Sequence, residues 1–252
     1  MRSSNIGSTK LARDMGAEKL WQTYRDIGFG QYIGLGFPGE TSGTLTLWQD
    51  WRASDLAAHS YGYGLSVNLL QLATAYAILG NQGRAVEPTL LARDRIEPGE
   101  QVISPAVANT VVQLMEAAVS PTGTARRAGV DDYYVAAKTG TVRRLSPQGG
   151  YAEDSYNTVF VGLAPASDPR LVLAVWMTDP QTRPPFAGQI VAPVFQEIMR
   201  GALRMLNIRP DQLDETYRAD MLRSRPSIGP RPQTDESEPA FDSIETTAGG
   251  GL

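Results

Sequence analysis

The run Lys138-Thr139-Gly140-Thr141 holds the residue types most suited to chemistry in this chain, and it follows Val135-Ala136-Ala137 in a strand-like segment. Side chains alternate along a strand, so Lys138 and Gly140 share one side while Thr139 and Thr141 share the other. Glycine removes a side chain where a ligand must lie against the backbone, and it leaves an unpaired edge free to bond an extended peptide. Two hydroxyls beside an ammonium suit a carboxylate. The plainer reading is an ordinary edge strand whose lysine discourages aggregation. Ser3-Ser4-Asn5 is a second candidate, a hydroxyl and an amide two residues apart; helix N-capping is its plain explanation.

Other chemistries are excluded by what the chain lacks. It has no cysteine, which removes disulfides, thiolate nucleophiles and Cys-based metal sites. Its one histidine, His59, rules out a multi-histidine metal site, and no G-x-S-x-G nucleophile motif lies nearby, so His59 reads as structural. The net charge of −4 excludes broad capture of a nucleic-acid backbone. No metal or organic cofactor is implied. No apolar run approaches the ~20 residues that cross a membrane, and the N-terminus has no charged-then-apolar profile.

The elements that must position these residues follow from periodicity. Leu20, Tyr24 and Ile27 predict a helix face, and a Gly-rich loop region follows over 29–43. Leu69, Leu72, Ala73, Tyr76 and Leu79 predict a buried helix that ends at Gly80-Asn81-Gln82-Gly83. Ser104-Pro105 starts another, because the serine oxygen caps free amides while proline sits where no amide bond is lost; Val107, Val111, Leu114, Met115 and Ala118 mark its inner face. Strands are expected at about 133–143, about 156–164 and 171–178. The last is apolar on both faces and so is expected inside a sheet covered on both sides. Short connections suit an antiparallel meander, on which a last helix packs with Val191, Phe195, Ile198, Ala202 and Met205. The folded part is taken as 1–207. From 208 to 252 prolines and small polar residues predict a mostly disordered tail, with a short helix expected over 211–223.

Order and company make the two motifs specific. Ser3-Ser4-Asn5 followed far downstream by Lys138-Thr139-Gly140 is two thirds of the signature of penicillin-interacting serine enzymes, whose remaining element is S-x-x-K. Phe37-Pro38-Gly39-Glu40, Ser60-Tyr61-Gly62-Tyr63-Gly64, Leu70-Gln71-Leu72-Ala73, Gly123-Thr124-Ala125 and Gly162-Leu163-Ala164-Pro165 occur between and after them in matching order. The chain resembles the C-terminal portion of the transpeptidase domain of class B penicillin-binding proteins. Ser-Ser-Asn, rather than an aspartate-bearing triplet, and the basic Arg143-Arg144 favour the septal, division-specific branch.

The resemblance implies an α+β fold similar to serine β-lactamases, an antiparallel sheet flanked by helices, present here in incomplete form. It implies peptidoglycan crosslinking by acyl transfer from a D-Ala-D-Ala stem peptide, with β-lactams acylating the same serine in the complete domain. The parent protein is expected on the periplasmic side of the bacterial inner membrane, among divisome membrane proteins. Carried over by position, Ser3 relays a proton and Asn5 orients the S-x-x-K lysine and the substrate amide. Lys138, Thr139, Gly140 and Thr141 hold the substrate, with the Thr141 amide as half of an oxyanion hole. Phe186, ahead of the last helix, is expected to wall the cleft. Asn68-Leu69 and Ala137 depart from the family pattern.

One element is missing. The lysines are Lys10, Lys19 and Lys138, and three residues before them stand Gly7, Gly16 and Val135, so the chain contains no S-x-x-K. The chain is therefore expected to be a fragment, inactive alone, with exposed apolar surface. Two other functions compete: a non-catalytic module that binds peptidoglycan stems or divisome partners, and a free-standing hydrolase using Ser60 or Ser66 as nucleophile.

Overall fold

The structure is a computed structural model that describes residues 3–146, 149–182 and 184–212. Six helices and three strands follow in chain order: α1 (Asn5–Met15), α2 (Ala17–Asp26), α3 (Ala53–His59), α4 (Leu69–Gly80), α5 (Pro105–Glu116), β1 (Ala136–Leu145), β2 (Tyr151–Ala164), β3 (Leu171–Thr178) and α6 (Ala187–Met205). The strands form an antiparallel sheet in the order β1-β2-β3, with Gly140 opposite Val159 and Val159 opposite Trp176. The α+β class and the antiparallel meander expected from the sequence are present.

The sheet is covered on both faces, and alternation sorts its residues between the two covers. Ala137, Phe160 and Ala164 lie in one cluster with Val191, Phe195, Met199 and Leu203 of α6. Ala136 and Leu163, one residue out of step, lie in the other with Val112 and Met115 of α5, and Tyr76 and Leu79 of α4 pack against it. The Phe160 and Phe195 rings meet at 4.8 Å, and Gly162 leaves the room they need: a Cβ there would lie 2.7 Å from the Phe195 ring. Each fully buried Phe or Leu at this seam contributes about 2–3 kcal/mol.

Several expected details shift. β1 begins at Ala136 rather than about 133, because Asp132 adopts φ +68° in a turn that bridges Val130 to Tyr133. β2 starts at Tyr151, earlier than expected. β3 is a half-buried edge strand and not an interior one: both its faces are covered, but its outer main chain has no partner strand among the described residues.

The helix faces match the expected ones in part: Tyr76, Leu79, Val111, Met115, Ala118, Val191 and Phe195 face the core as expected, and other positions do not. α4 buries Gln71, Ala75 and Ile78 while Leu69 is exposed, because it is covered on two sides, by the sheet and by the loop after α2. In α5 the inner line is Ala108, Val112 and Met115, with Val107 and Leu114 exposed. In α6 it is Val191, Phe195, Met199 and Leu203, a four-residue stepping that turns Ile198 and Met205 outward.

The expected cap of α5 is present, and α4 carries one that was not expected. Ser104 Oγ accepts from the Val107 amide with Pro105 at the first helical position. Asn68, a departure from the family pattern, caps α4 reciprocally with Gln71: Gln71 N donates to Asn68 Oδ1 and Asn68 N donates to Gln71 Oε1. The composition change at 208 does not end the packed body. Ile208 lies against the α6 cluster, the Tyr133 hydroxyl donates to the Ile208 carbonyl at 2.6 Å, and Asp211 is buried. The remainder of the expected tail, with most of its expected short helix, lies outside the described residues.

Candidate active site

Ser4, not Ser3 or Asn5, caps α1: its Oγ accepts from the Gly7 amide at 3.2 Å. The capping role therefore falls on the middle residue of the triplet, and Ser3 and Asn5 are exposed with no side-chain hydrogen bond among the described residues. Ala12 is the one buried residue of α1. Thr9 Oγ1 and Ser60 Oγ lie 3.3 Å apart, tying α1 to the end of α3.

That end of α3 is built around His59, which is 3 % exposed. Its ring stacks on Trp51 at 3.9 Å between centroids, and its Nδ1 lies 2.7 Å from the Asp55 carbonyl, so Nδ1 carries the proton and donates. Gly64, at φ +80°, passes so close that a Cβ would sit 2.7 Å from the ring. The Tyr24 hydroxyl donates to the His59 carbonyl at 2.6 Å, and burial pushes that phenol up to about 12. His59 is thus a packed structural residue. Ser60 Oγ donates to the Ala57 carbonyl at 2.6 Å, and among the described residues no hydrogen bond joins Ser60 or Ser66 to a titratable group.

From this corner the Tyr61-Gly62-Tyr63-Gly64 loop reaches β1. The Arg143 amide donates to the Tyr63 hydroxyl at 3.3 Å, so the Arg143 N–H points away from β2. In an antiparallel pair, alternate residues turn their main-chain groups to the same side. The groups of Thr141 and Thr139 therefore also face the open edge, which has no partner strand among the described residues, while those of Gly140 and Lys138 bond β2. The Thr139 and Thr141 side chains lie on the α6 face: Ala187 N–H donates to Thr141 Oγ1 at 3.2 Å, and Thr139 Oγ1 donates to Thr124 Oγ1 at 3.5 Å.

Lys138 lies on the opposite face, half-buried, with Nζ donating to the Thr139 carbonyl at 2.5 Å. Desolvation lowers its pKa from the ordinary lysine value. Among the described residues no hydrogen bond joins Lys138 to Ser3 or Asn5. Gly140 also serves packing: a Cβ there would sit 2.5 Å from Val159 Cγ1, so its missing side chain makes room for the neighbouring strand.

A cavity of about 360 Å³ opens beside the strand, lined by Thr139, Thr141, Phe186, Gly188, Thr124 and Arg127 among others. Phe186 is 54 % exposed and caps α6 on this wall. Thr124, Gly188, Arg127 and the Ala187 amide were not singled out as site residues by sequence. Gly123-Thr124-Ala125 stands in the motif series, but residue type alone gives it no role. A larger cavity, about 760 Å³, between α5 and 129–135 contains none of the four residues 138–141.

Comparison with known proteins places this arrangement. Residues 1–200 match the family model described as the penicillin-binding protein transpeptidase domain. The chain is 40 % identical over 216 residues to the probable peptidoglycan D,D-transpeptidase PbpC of Pseudomonas aeruginosa, covering 86 % of this chain and 38 % of that protein. It is 41 % identical over 212 residues to the peptidoglycan D,D-transpeptidase FtsI of Escherichia coli, covering 84 % and 36 %. The apo transpeptidase domain of Burkholderia pseudomallei penicillin-binding protein 3 superposes with a TM-score of 0.77 at 42 % identity, covering 82 % of this chain and 63 % of that one. The chain therefore spans less than two fifths of the length of these two curated relatives. With the K-T-G-T strand, its open edge and the S-x-N helix in place, the chain belongs to the penicillin-binding protein transpeptidase family.

Proposed function

We propose that this chain forms the substrate-carboxylate and oxyanion side of a septal peptidoglycan D,D-transpeptidase, and that these 252 residues alone do not turn over. The observation that carries the reading is the open β1 edge, at which Thr139 and Thr141 present main-chain groups and hydroxyls beside a cavity walled by Phe186. A stem peptide ending in D-Ala-D-Ala adds there as an extended strand, its carboxylate taken by the two hydroxyls and by the Lys138 ammonium, which comes round from the other face to the same edge at the Thr139 carbonyl. The Thr141 N–H is aimed where an acyl oxygen becomes negative. Ser3 and Asn5, unused by capping, are the proton-relay and amide-orienting groups.

In the reaction a serine oxygen attacks the penultimate D-Ala carbonyl, and the terminal D-Ala leaves as an amine that takes up a proton. An amino group of a second stem then attacks the ester and returns the serine. That serine, and the lysine beside it, belong to the S-x-x-K this sequence does not contain. The division setting, on the periplasmic side of the inner membrane with divisome membrane proteins as neighbours, is part of the same proposal. Incubation with a fluorescent penicillin followed by intact-mass spectrometry tests it. No covalent adduct is expected, whereas stoichiometric acylation, at Ser60, Ser66 or elsewhere, would overturn the assignment.

A further inference from the structure

The cavity beside β1 is closed on one side by the first turn of α6, which reaches the site through one main-chain group, the Ala187 N–H on Thr141 Oγ1 at 3.2 Å. A hydroxyl that accepts from an amide keeps its own proton to donate elsewhere. A carboxylate that enters the cavity lined by Thr141 can accept that proton. The distance from Ala187 to Thr141 therefore sets the aim of the hydroxyl.

Two features hold the turn there. A Cβ on Gly188 would lie 2.0 Å from the Thr124 carbonyl oxygen and 3.6 Å from Thr139 Cγ2, so a residue without a side chain is needed for this approach. Its backbone is ordinary helix, so the need is for space and not for conformation. The second feature begins at Pro193, which has no N–H to offer the Gln189 carbonyl four residues back. Arg127 Nη1 donates to that carbonyl at 3.2 Å. The acceptor freed by the proline thus becomes a tether between the first turn of α6 and the 3-10 turn Arg126–Ala128.

We propose that Gly188 and Arg127 are positioning residues that aim the Thr141 hydroxyl at the substrate carboxylate; this rests on the carboxylate role proposed above for Thr141. The test compares Gly188→Ala, Arg127→Gln and Arg127→Lys with Gly201→Ala, a control in the same helix where a Cβ meets nothing within 4 Å. Amide hydrogen exchange at Ala187, referenced to Phe160 in β2, reads the contact. Affinity for Nα,Nε-diacetyl-L-Lys-D-Ala-D-Ala against its C-terminal amide reads the aim.

Gly188→Ala and Arg127→Gln should lower Ala187 protection about tenfold relative to Phe160 and shrink the preference for the acid about fivefold. Arg127→Lys should keep most of both, and Gly201→Ala should change neither. Unchanged Ala187 protection in Gly188→Ala and Arg127→Gln overturns the proposal. A wild-type chain that binds acid and amide alike removes the carboxylate role of Thr141 itself, and the exchange data separate that failure from a failure of the positioning.

Discussion

The Tyr63 hydroxyl accepts the Arg143 amide proton at 3.3 Å across 80 residues of chain, and the contact closes the open edge of β1 two residues past Thr141. Tyr63 also packs edge-on against Tyr151 at 5.3 Å, so its ring is held independently of the hydrogen bond. Tyr63→Phe should keep the ring packing and leave the Arg143 N–H to solvent, at a cost of about 0.5–1 kcal/mol in urea denaturation. The Arg143 amide should then exchange faster while that of Val142, bonded to β2, does not. Equal acceleration at both would show that Tyr63 does not cap the edge.

Gln71 is 1 % exposed and serves as a hub for the loop after α2. Its Nε2 donates to the carbonyls of Gln31 at 2.7 Å and Ser42 at 2.8 Å, while Oε1 accepts from Asn68 N. Gln71→Leu preserves the volume but strands those carbonyls, so a loss of about 2–4 kcal/mol is expected. Gln71→Glu places an acceptor against acceptors and should be no milder. A change below about 0.5 kcal/mol in either variant would contradict the hub.

Asp211, beyond the end of α6, ties down two segments. It accepts from Tyr134 N at 2.8 Å, just ahead of β1, and from Ser167 Oγ at 2.7 Å and Ser167 N at 3.2 Å in the β2–β3 connection. Asp211→Ala removes the acceptor of these three hydrogen bonds and should lower stability by about 2–4 kcal/mol. Ending the chain after Asn207 should cost at least as much, since it also removes Ile208. Thermal unfolding of the two variants beside the full chain decides this. A truncation as stable as the full chain would return 208–212 to the tail.

Lys138 gives a pH dependence whose sign is fixed by burial. Its folded pKa lies below the ordinary 10.5, so the unfolded chain binds this proton more tightly and stability from this group rises with pH between the two values. Lys138→Met removes the charge and its desolvation cost. The variant should gain stability relative to wild type near neutral pH, and the gain should shrink as pH approaches 10.5. Melting temperatures of both proteins across that range provide the check. A gap that stays constant or widens would mean that the bond to the Thr139 carbonyl outweighs burial.

Much of this protein was legible as local pattern. Residue order alone carried the K-T-G-T strand, the S-x-N triplet, the Ser104-Pro105 start of α5 and the three-strand meander, because strand alternation, capping and turn chemistry act between near neighbours. The missing S-x-x-K is likewise a statement about sequence. Helix faces were less legible. α4 is apolar nearly all round, so its periodicity could not say that Gln71, Ala75 and Ile78 would be buried while Leu69 would not.

Only the tertiary structure decided which residue of the triplet caps α1, which neighbour Gly140 makes room for, and that Ala187 and Tyr63 flank the β1 edge. It also showed that the packed body continues through Asp211. These outcomes depend on groups far apart in the chain meeting at hydrogen-bond distance, and much of the contact is made by main-chain amides and carbonyls. Such groups are the same at every non-proline position and leave no mark in residue type. The motifs identify the chemistry because side chains are specific. The aim of that chemistry is set by backbone, and backbone is placed only by the packing of the whole fold.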